Sequence, residues 1–404
     1  MREIIENPMK AQSGDTVDLD QLPTLCVMAN SVITLGSEIE VHQDNLTLQG
    51  PTEGTVTISG AGLSRVFHHT GAGTLALNAL TVSDGHYHPA AGPAYGGCID
   101  SDSGDVVLSH VVVRNCVAIS DGNWTKGGGV HARNVSLIAS SVSGNQAGNS
   151  GTSTMGGGVY ALQTILSWYS AISGNEAPGG FGGGLAARNG TTLIASTIEG
   201  NHAGKGGGFY AGDAAVGVFD STISGNSASD FASALEGRNS IVIANSTIAF
   251  NHQDSSDTAG AIVLGNGNNP NSTLTLQSSI VADNTATAAN TAADIFIYPG
   301  AGSLAGADNL VISSNVSDPA VITLTSDPKL APLAFNGGPT RTHILLPGSP
   351  ALGKGNIDGL PAPWNTTDQR GVGYPRTSGP AATIDIGAVQ FDSIFADGLD
   401  SFLF

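Results

Sequence analysis

Two short landmarks recur along the middle of this 404-residue chain and keep the same phase. The first is a glycine-rich element that ends in an apolar residue, as in Gly127-Gly128-Gly129-Val130. From Ile99 onward the apolar residue returns at intervals of 31, 29, 26, 24, 26, 27 and 33 residues, at Val130, Val159, Leu185, Phe209, Leu235, Ile262 and Ile295. The second landmark is an Asn with an apolar residue three places before it, at Asn115, Asn145, Asn175, Asn201, Asn226, Asn251 and Asn284. Two independent landmarks with one period indicate a structural repeat.

The segments between the landmarks are short β-branched runs such as Val135-Ser136-Leu137-Ile138, and they lack helical spacing. This pattern predicts one coil of three short strands per repeat, with coils stacked so that like residues lie over like. The predicted fold class is all-β, a right-handed single-stranded parallel β-helix. Seven steps from Ile99 to Ile295 at about 4.8 Å each correspond to roughly 34 Å of stacked sheet.

Both landmarks have a structural explanation. Asn tolerates left-handed backbone conformation, and a stacked column of amides can hydrogen-bond from coil to coil. Glycines permit a sharp corner where a side chain would clash. We therefore expect the landmarks to shape the coil rather than to perform chemistry.

The composition limits the partners and the location of the chain. The formal charge of −19 disfavours binding to nucleic acid or anionic lipid, and it favours cations, neutral glycans or basic surfaces. No run of 18 apolar residues exists, so we expect no transmembrane segment. The start at Met1 lacks the apolar core of a signal peptide, and we expect that an export leader has been removed. The oligomeric state stays open.

Three cysteines are too few for a disulfide framework, and their spacing is not that of a metal site. Cys98 and Cys116 could bridge neighbouring strands and leave Cys26 free. The alternative is three small buried thiols.

The chain divides into four parts by pattern. Residues 1–95 are an N-terminal cap and early coils, in which Arg2 to Gln12 could form a short helix over the open end. Residues 96–318 are the regular repeats, residues 319–390 a less regular C-terminal module rich in Pro and Gly, and residues 391–404 a tail.

The C-terminal module carries a characteristic series of motifs. These are Asn336-Gly337-Gly338-Pro339-Thr340, Gly348-Ser349-Pro350-Ala351, Asp368-Gln369-Arg370-Gly371 and Asp385-Ile386-Gly387-Ala388. Over residues 327–388 the series resembles the closing module of the bacterial surface proteins called choice-of-anchor Q, in which it follows a β-helix. The resemblance implies a secreted or surface-attached, outer-membrane-associated bacterial protein.

Two further resemblances agree with export. The central Gly-Gly-X-apolar and X-X-X-Asn elements are similar to the repeats of polymorphic outer-membrane proteins, which are surface adhesins. The opening Arg2-Glu3-Ile4-Ile5 is similar to a segment that begins many such exported proteins. Ile394 to Asp400 looks like a terminal sorting tag, with a frayed apolar end as the alternative.

A strip of side chains is expected to point outward from the glycine-flanked strands, because neighbours of an inward residue alternate. The strip holds aromatic, acidic and guanidinium groups: His131, Arg133, Tyr160, Arg188, Tyr210, Glu236 and Arg238. Such groups can stack on sugar rings and pair with carboxylates or sulfates. The plain alternative is ordinary polarity on a solvated sheet.

A second candidate site follows the Asn landmarks. Glu176 and His202 occupy adjacent coils, about 5 Å apart at the backbone, with Lys205 nearby. A carboxylate beside His could make the proton-transfer pair that a polysaccharide lyase needs, whereas turn residues also meet by accident. A hydrolase would need paired carboxylates, and no repeated Asp column supplies them.

Calcium is the ion that the acidic, oxygen-rich loops favour, and no other cofactor is indicated. Asp100, Asp102 and Asp105 form one such loop, and Asp254-Ser255-Ser256-Asp257 another. Neither has a complete helix-loop-helix pattern, and solvated turns are the alternative. His86 and His88 with Asp84 could hold a transition metal, although three residues in one loop are often incidental.

Taken together, the residues predict an adhesive or glycan-binding β-helix module whose partner is an extracellular glycan or a host or neighbouring cell surface. The alternatives are a polysaccharide lyase or glycoside hydrolase acting on acidic polysaccharide, and a structural spacer. A shared fold cannot decide among them.

Overall fold

The chain folds into a parallel β-solenoid. A computed structural model describes residues 11–21, 30–148, 153–255, 260–265, 271–287, 293–357, 365–377 and 383–391. Four parallel sheets of 10, 11, 12 and 11 strands run along it, and the coils between His86 and Ala286 contribute to all four. The β-helix prediction is confirmed, but these coils contain four faces rather than the three expected, whereas the earlier coils contain three. The extra face follows each Asn landmark, where runs of two to six residues pair between coils.

We number the sheets 1 to 4 in the order in which a coil visits them. Sheet 1 contains Ile39–Val41, Phe67–His69, Ile99–Ser101, Val130–Ala132, Val159–Ala161, Leu185–Ala187, Phe209–Tyr210, Leu235–Gly237, Ile262–Leu264 and Ile295–Ile297. Sheet 2 contains Asp15–Asp18, Leu46–Gln49, Thr74–Asn78, Asp105–Ser109, Val135–Ile138, Thr164–Trp168, Gly190–Ile194, Ala215–Phe219, Ser240–Ala244, Ser272–Gln277 and Gly302–Ala307.

Sheets 3 and 4 complete the coil. Sheet 3 contains Ser31–Thr34, Val56–Ser59, Thr81–Ser83, Val112–Arg114, Ser141–Ser143, Ala171–Ser173, Thr197–Glu199, Thr222–Ser224, Thr247–Ala249, Ile280–Ala282, Asn309–Val311 and Ile322–Leu324. Sheet 4 contains His86–Tyr87, Ala94–Tyr95, Val117–Ala118, Thr125–Lys126, Gln146–Ala147, Thr154–Met155, Glu176–Phe181, His202–Lys205, Ser227–Phe231, His252–Gln253 and Thr285–Ala286. One short 3-10 helix, Leu19–Gln21, lies near the N-terminal end.

The predicted register of the apolar landmark is confirmed at every step. Starting from Ile99, each landmark residue pairs with the next in sheet 1 and ends at Ile295. The same residues lie in one continuous core that fills the solenoid. Stacking therefore buries an apolar row that a single coil could not cover.

The glycine corners also behave as predicted. Gly127 and its equivalents, such as Gly156, are left-handed, with φ of 69° and 68°. A Cβ at the following Gly128 would overlap the carbonyl oxygen of Gly157 in the next coil. Only a residue without a side chain fits at that approach.

The Asn landmark forms a buried amide ladder. From Asn145 to Asn284, each Nδ2 donates to the Oδ1 of the next Asn, over 2.9 Å at every step. Asp294 Oδ1 accepts the last of these bonds, from Asn284 Nδ2 at 2.8 Å. A carboxylate suits the end of the ladder because it accepts and has nothing to donate onward.

Asn115 does not belong to this ladder, and its assignment to the Asn landmark is wrong. Sheet 3 pairs Val113, not Val112, with Val142, so Cys116 lies under Asn145 and Asn115 lies under Gly144. The left-handed residue is the one before the ladder position rather than the ladder Asn itself: Gly144, before Asn145, has φ of 61°, and Asn115, before Cys116, has φ of 56°.

Cys98 and Cys116 form a disulfide with a Cα–Cα distance of 5.4 Å, and both are buried in the core. The alternative that Cys98 and Cys116 are free buried thiols is therefore wrong. Cys26 lies outside the described residues.

The chain after the last strand folds back along the outer face of sheet 3. Gln369 Nε2 donates to Thr197 Oγ1 at 2.9 Å, and Thr222 Oγ1 donates to Gln369 Oε1 at 2.6 Å. Arg376 is fully buried, pairs with Asp220 and donates to the carbonyl oxygen of Gly387 at 2.9 Å. The motif series thus fastens the C-terminal module to the solenoid.

Two predicted end features fall outside the described residues: nearly all of the helix from Arg2 to Gln12, and the tail from Ile394 to Asp400. Across the described ranges, no helix has the length and hydropathy that a membrane span requires.

Candidate functional site

Two columns of side chains flank the glycine corner, and we call them together the corner strip. The first column is the last sheet 4 residue before each corner: Tyr95, Lys126, Met155, Phe181, Lys205 and Phe231. The second column is the middle of each sheet 1 strand: Asp100, His131, Tyr160, Ala186, Tyr210 and Glu236.

The second column points away from the core, as predicted, but it is not a flat solvated face. Val130 and Ala132 belong to the core, whereas His131 between them does not. Nevertheless His131 and Tyr160 are only 3% and 2% exposed. Side chains of the first column cover them, and the prediction of an open strip is wrong in this respect.

The two columns interlock with an offset of one coil. Tyr95 stacks on His131 with ring centroids 4.6 Å apart, and Lys126 Nζ lies 4.9 Å from the centroid of Tyr160. Phe181 packs against Tyr210 at 4.9 Å. Each residue before a corner therefore covers the sheet 1 residue of the next coil.

A cleft of about 620 Å³ opens at Ala186, which has the smallest side chain of the second column. Met155 is the first-column residue one coil before Ala186. Tyr160 and Tyr210 are the second-column residues one coil before and one coil after it. The cleft is lined by Met155, Tyr160, Ala186, Ala187, Arg188, Asn189, Tyr210, Gly212, Asp213, Ala214, Ala215 and Asn239. Three of the predicted ligand residues, Tyr160, Arg188 and Tyr210, thus meet in one recess.

The other predicted ligand residues do not line this cleft. Arg133 is paired with Asp105 at 2.8 Å, and His131 Nδ1 lies 2.7 Å from Asp100 Oδ1. Arg238 pairs with Glu236 at 3.1 Å, just beyond Tyr210 in the column.

Glu236 has the most perturbed environment in the strip. Burial raises the pKa of its carboxyl to about 7, against the opposing effect of Arg238. Its Oε2 has no hydrogen-bond partner among the described residues. Burial likewise raises the pKa of the neighbouring Tyr210 to about 12, and the Glu236 charge adds to the shift.

The predicted catalytic residues lie in sheet 4. Glu176 and His202 are register partners in adjacent coils, as the spacing required. However, His202 Nδ1 lies 2.9 Å from Ser227 Oγ, and Lys205 pairs with Asp230 at 3.2 Å. None of the three lines the cleft, and their catalytic role stays a prediction.

The predicted calcium ligands point to different partners. Asp100 is buried between Arg65 and His131, whereas Asp105 is held by Arg133, which lowers the pKa of that carboxyl. Asp100 and Asp102 do come together with His68, their ligand atoms all within 4.8 Å of one another. The calcium site stays a prediction.

The remaining metal candidates are more dispersed. His86 and His88 have ring centroids 6.5 Å apart, and His88 pairs with Asp121 at 3.2 Å. Asp84 is instead held by Ser83 and Ser59, whose hydroxyls lower the pKa of its carboxyl against the effect of burial. Residues 256–259 of the second acidic loop lie outside the described part.

Comparisons with known proteins found no family model, curated protein or solved structure that matches the chain.

Sequence reasoning missed the residues of the first column other than Lys205, chiefly Lys126 and Met155. A usable signal existed, because each of them directly precedes a corner glycine, or Ala232 in the case of Phe231.

Proposed function

We propose that this chain is an exported, surface-associated protein whose solenoid binds glycans in the cleft around Ala186. The observation that carries the proposal is a recess in which the half-buried ring of Tyr210 and the exposed side chain of Arg188 lie above the covered ring of Tyr160. Aromatic faces suit the apolar side of a sugar ring, and a few fixed polar groups suit its hydroxyls.

The polar lining of the cleft supports this assignment. Asn189, Asp213 and Asn239 are exposed at its rim. Asn239 Nδ2 donates to the main-chain oxygen of Asp213 at 3.0 Å, which holds that amide in place. The amide groups donate and accept and the carboxylate accepts, so together they match the hydroxyl groups of a sugar.

Export is supported by the Cys98–Cys116 disulfide, because such bonds persist mainly in oxidising compartments. The likeness of the C-terminal module to choice-of-anchor Q modules, and of the repeats to polymorphic outer-membrane proteins, supports attachment to a bacterial surface. An extracellular glycan, or the surface of a host or neighbouring cell, is the partner we propose.

A glycan array tests the proposal. We expect the protein to be retained on a subset of glycans, and Tyr210→Ala to reduce that retention at least about tenfold, since one aromatic face is lost. Trp168→Ala is the matched control, because Trp168 is 42% exposed on sheet 2 and does not line the cleft. Absence of retention on any glycan would favour a structural spacer.

Polysaccharide cleavage is the second candidate, and the register pairing of Glu176 with His202 in adjacent coils is the observation that favours it. A carboxylate beside an imidazole can supply the proton transfer that cleavage needs. Incubation with the retained glycans would then release new reducing ends or unsaturated products, whereas intact glycans would leave the binding assignment in place.

A further inference from the structure

Two cations, one in the cleft and one beside it, have no carboxylate partner. Arg188 is exposed in the lining. Lys126 is half-buried just outside the lining, where it is the register partner of Met155 and lies over Tyr160. Among the described residues, neither forms an ion pair, although acidic residues outnumber basic ones by 33 to 14. The other cations of this region, Arg133, Lys205 and Arg238, are all paired with carboxylates. The pair Lys126 and Arg188 is thus the exception.

The two charges are close enough to act on each other. Burial lowers the pKa of Lys126, and the positive charge of Arg188 lowers it further. The same arginine charge acts on Tyr160, which lies 4.9 Å from Lys126 Nζ. Like charges held together are destabilising, and an anion placed between them would relieve the repulsion.

The other groups around the two cations are rings and charges that already have partners. Lys126 Nζ lies 5.4 Å from the ring centroid of Trp124 and 5.8 Å from that of Tyr95. His131 is already engaged by Asp100. Asp213 is the acidic residue of the cleft lining, and its charge helps to raise the pKa of Tyr210.

We propose that the cleft selects acidic oligosaccharides, with a sugar carboxylate or sulfate bound by Arg188 and Lys126 and the ring against Tyr210. This rests on the proposed glycan binding. Arg188 offers a planar pair of donors and Lys126 a compact charge, and both kinds of group bind carboxylates and sulfates.

The test compares each charged probe with a neutral counterpart. Calorimetric titration would use tetragalacturonate and its methyl ester, and a keratan sulfate tetrasaccharide with its desulfated form, which carries no carboxylate. We expect the wild-type protein to bind at least one charged probe about tenfold or more tightly than its neutral counterpart. The two arms show whether the anion is a carboxylate or a sulfate.

Substitutions then assign the preference to residues. Arg188→Gln and Lys126→Gln should each reduce affinity for the charged probe about tenfold more than affinity for the neutral probe. Arg114→Gln, an exposed arginine on sheet 3, is the control and should change neither.

Failure has two distinguishable forms. Equal binding of charged and neutral probes, or a preference that survives both substitutions, would overturn the anion site and leave glycan binding standing. Binding of no probe, together with no retention on the array, would overturn both proposals. A readout without ligand is the pKa of Lys126 by NMR, which should rise in Arg188→Gln because a like charge is removed.

Discussion

At the scale of single residues, the position of the cleft depends on one small side chain. Tyr160, Ala186 and Tyr210 occupy consecutive coils, so the two tyrosines are about 10 Å apart at the backbone. A larger residue in the middle would close the gap as His131 and Glu236 do elsewhere in the column. The recess is thus a local interruption of a packed strip.

Glu236 gives a residue-scale prediction for pH. A carboxyl in an unfolded chain titrates near pH 4.3, whereas burial raises the pKa of Glu236 to about 7. The folded state therefore holds the proton more tightly, and this stabilisation is full below about pH 4.3 and lost as the pH rises through about 7. We expect the free energy of unfolding to fall over this range more steeply in the wild type than in Glu236→Gln. Denaturant titrations at several pH values measure both slopes, and parallel curves would refute the assignment.

At the scale of elements, the C-terminal module is held by buried polar contacts that bridge distant parts of the sequence. Arg376 reaches Asp220 and donates to the main-chain oxygens of Asn245 and Ala388, both at 3.1 Å. An ion pair of this kind is costly to break, because one partner is left buried and unpaired.

A double-mutant cycle tests this attachment. Arg376→Met should destabilise the protein by about 3–5 kcal/mol, because it leaves the Asp220 carboxylate buried alone. Adding Asp220→Asn should recover part of that loss, since no lone charge then remains. Denaturant unfolding measures each variant. Additive effects of the two substitutions would show that the residues do not act as a pair.

At the scale of the whole molecule, the solenoid could be predicted from its local repeats. The contacts that do not belong to the repeat could not be predicted in this way. The apolar landmarks from Ile99 to Ile295 kept their register because each must fill the same core position. The error at Asn115 arose because Val112 and Val113 are both apolar, so composition alone could not choose between two registers one residue apart.

The same distinction applies to the site. Tyr160, Arg188 and Tyr210 could be found from strand alternation, because that rule is local. The packing of Lys126 and Met155 against the second column depends on how sheets 4 and 1 meet at the glycine corner. The contact of Gln369 with Thr222 joins residues that are 147 positions apart in the sequence. Contacts of that kind carry no periodic signal.

The most direct test of the glycan cleft fills it without removing a contact group. Ala215 is exposed in the lining, and Ala215→Trp would occupy the space that a sugar needs. Thr74→Trp, several coils away in the same sheet, is the matched control. We expect Ala215→Trp to abolish calorimetric binding of the glycan that the wild type retains best, and Thr74→Trp to bind normally. Undiminished binding by a correctly folded Ala215→Trp protein would contradict the account.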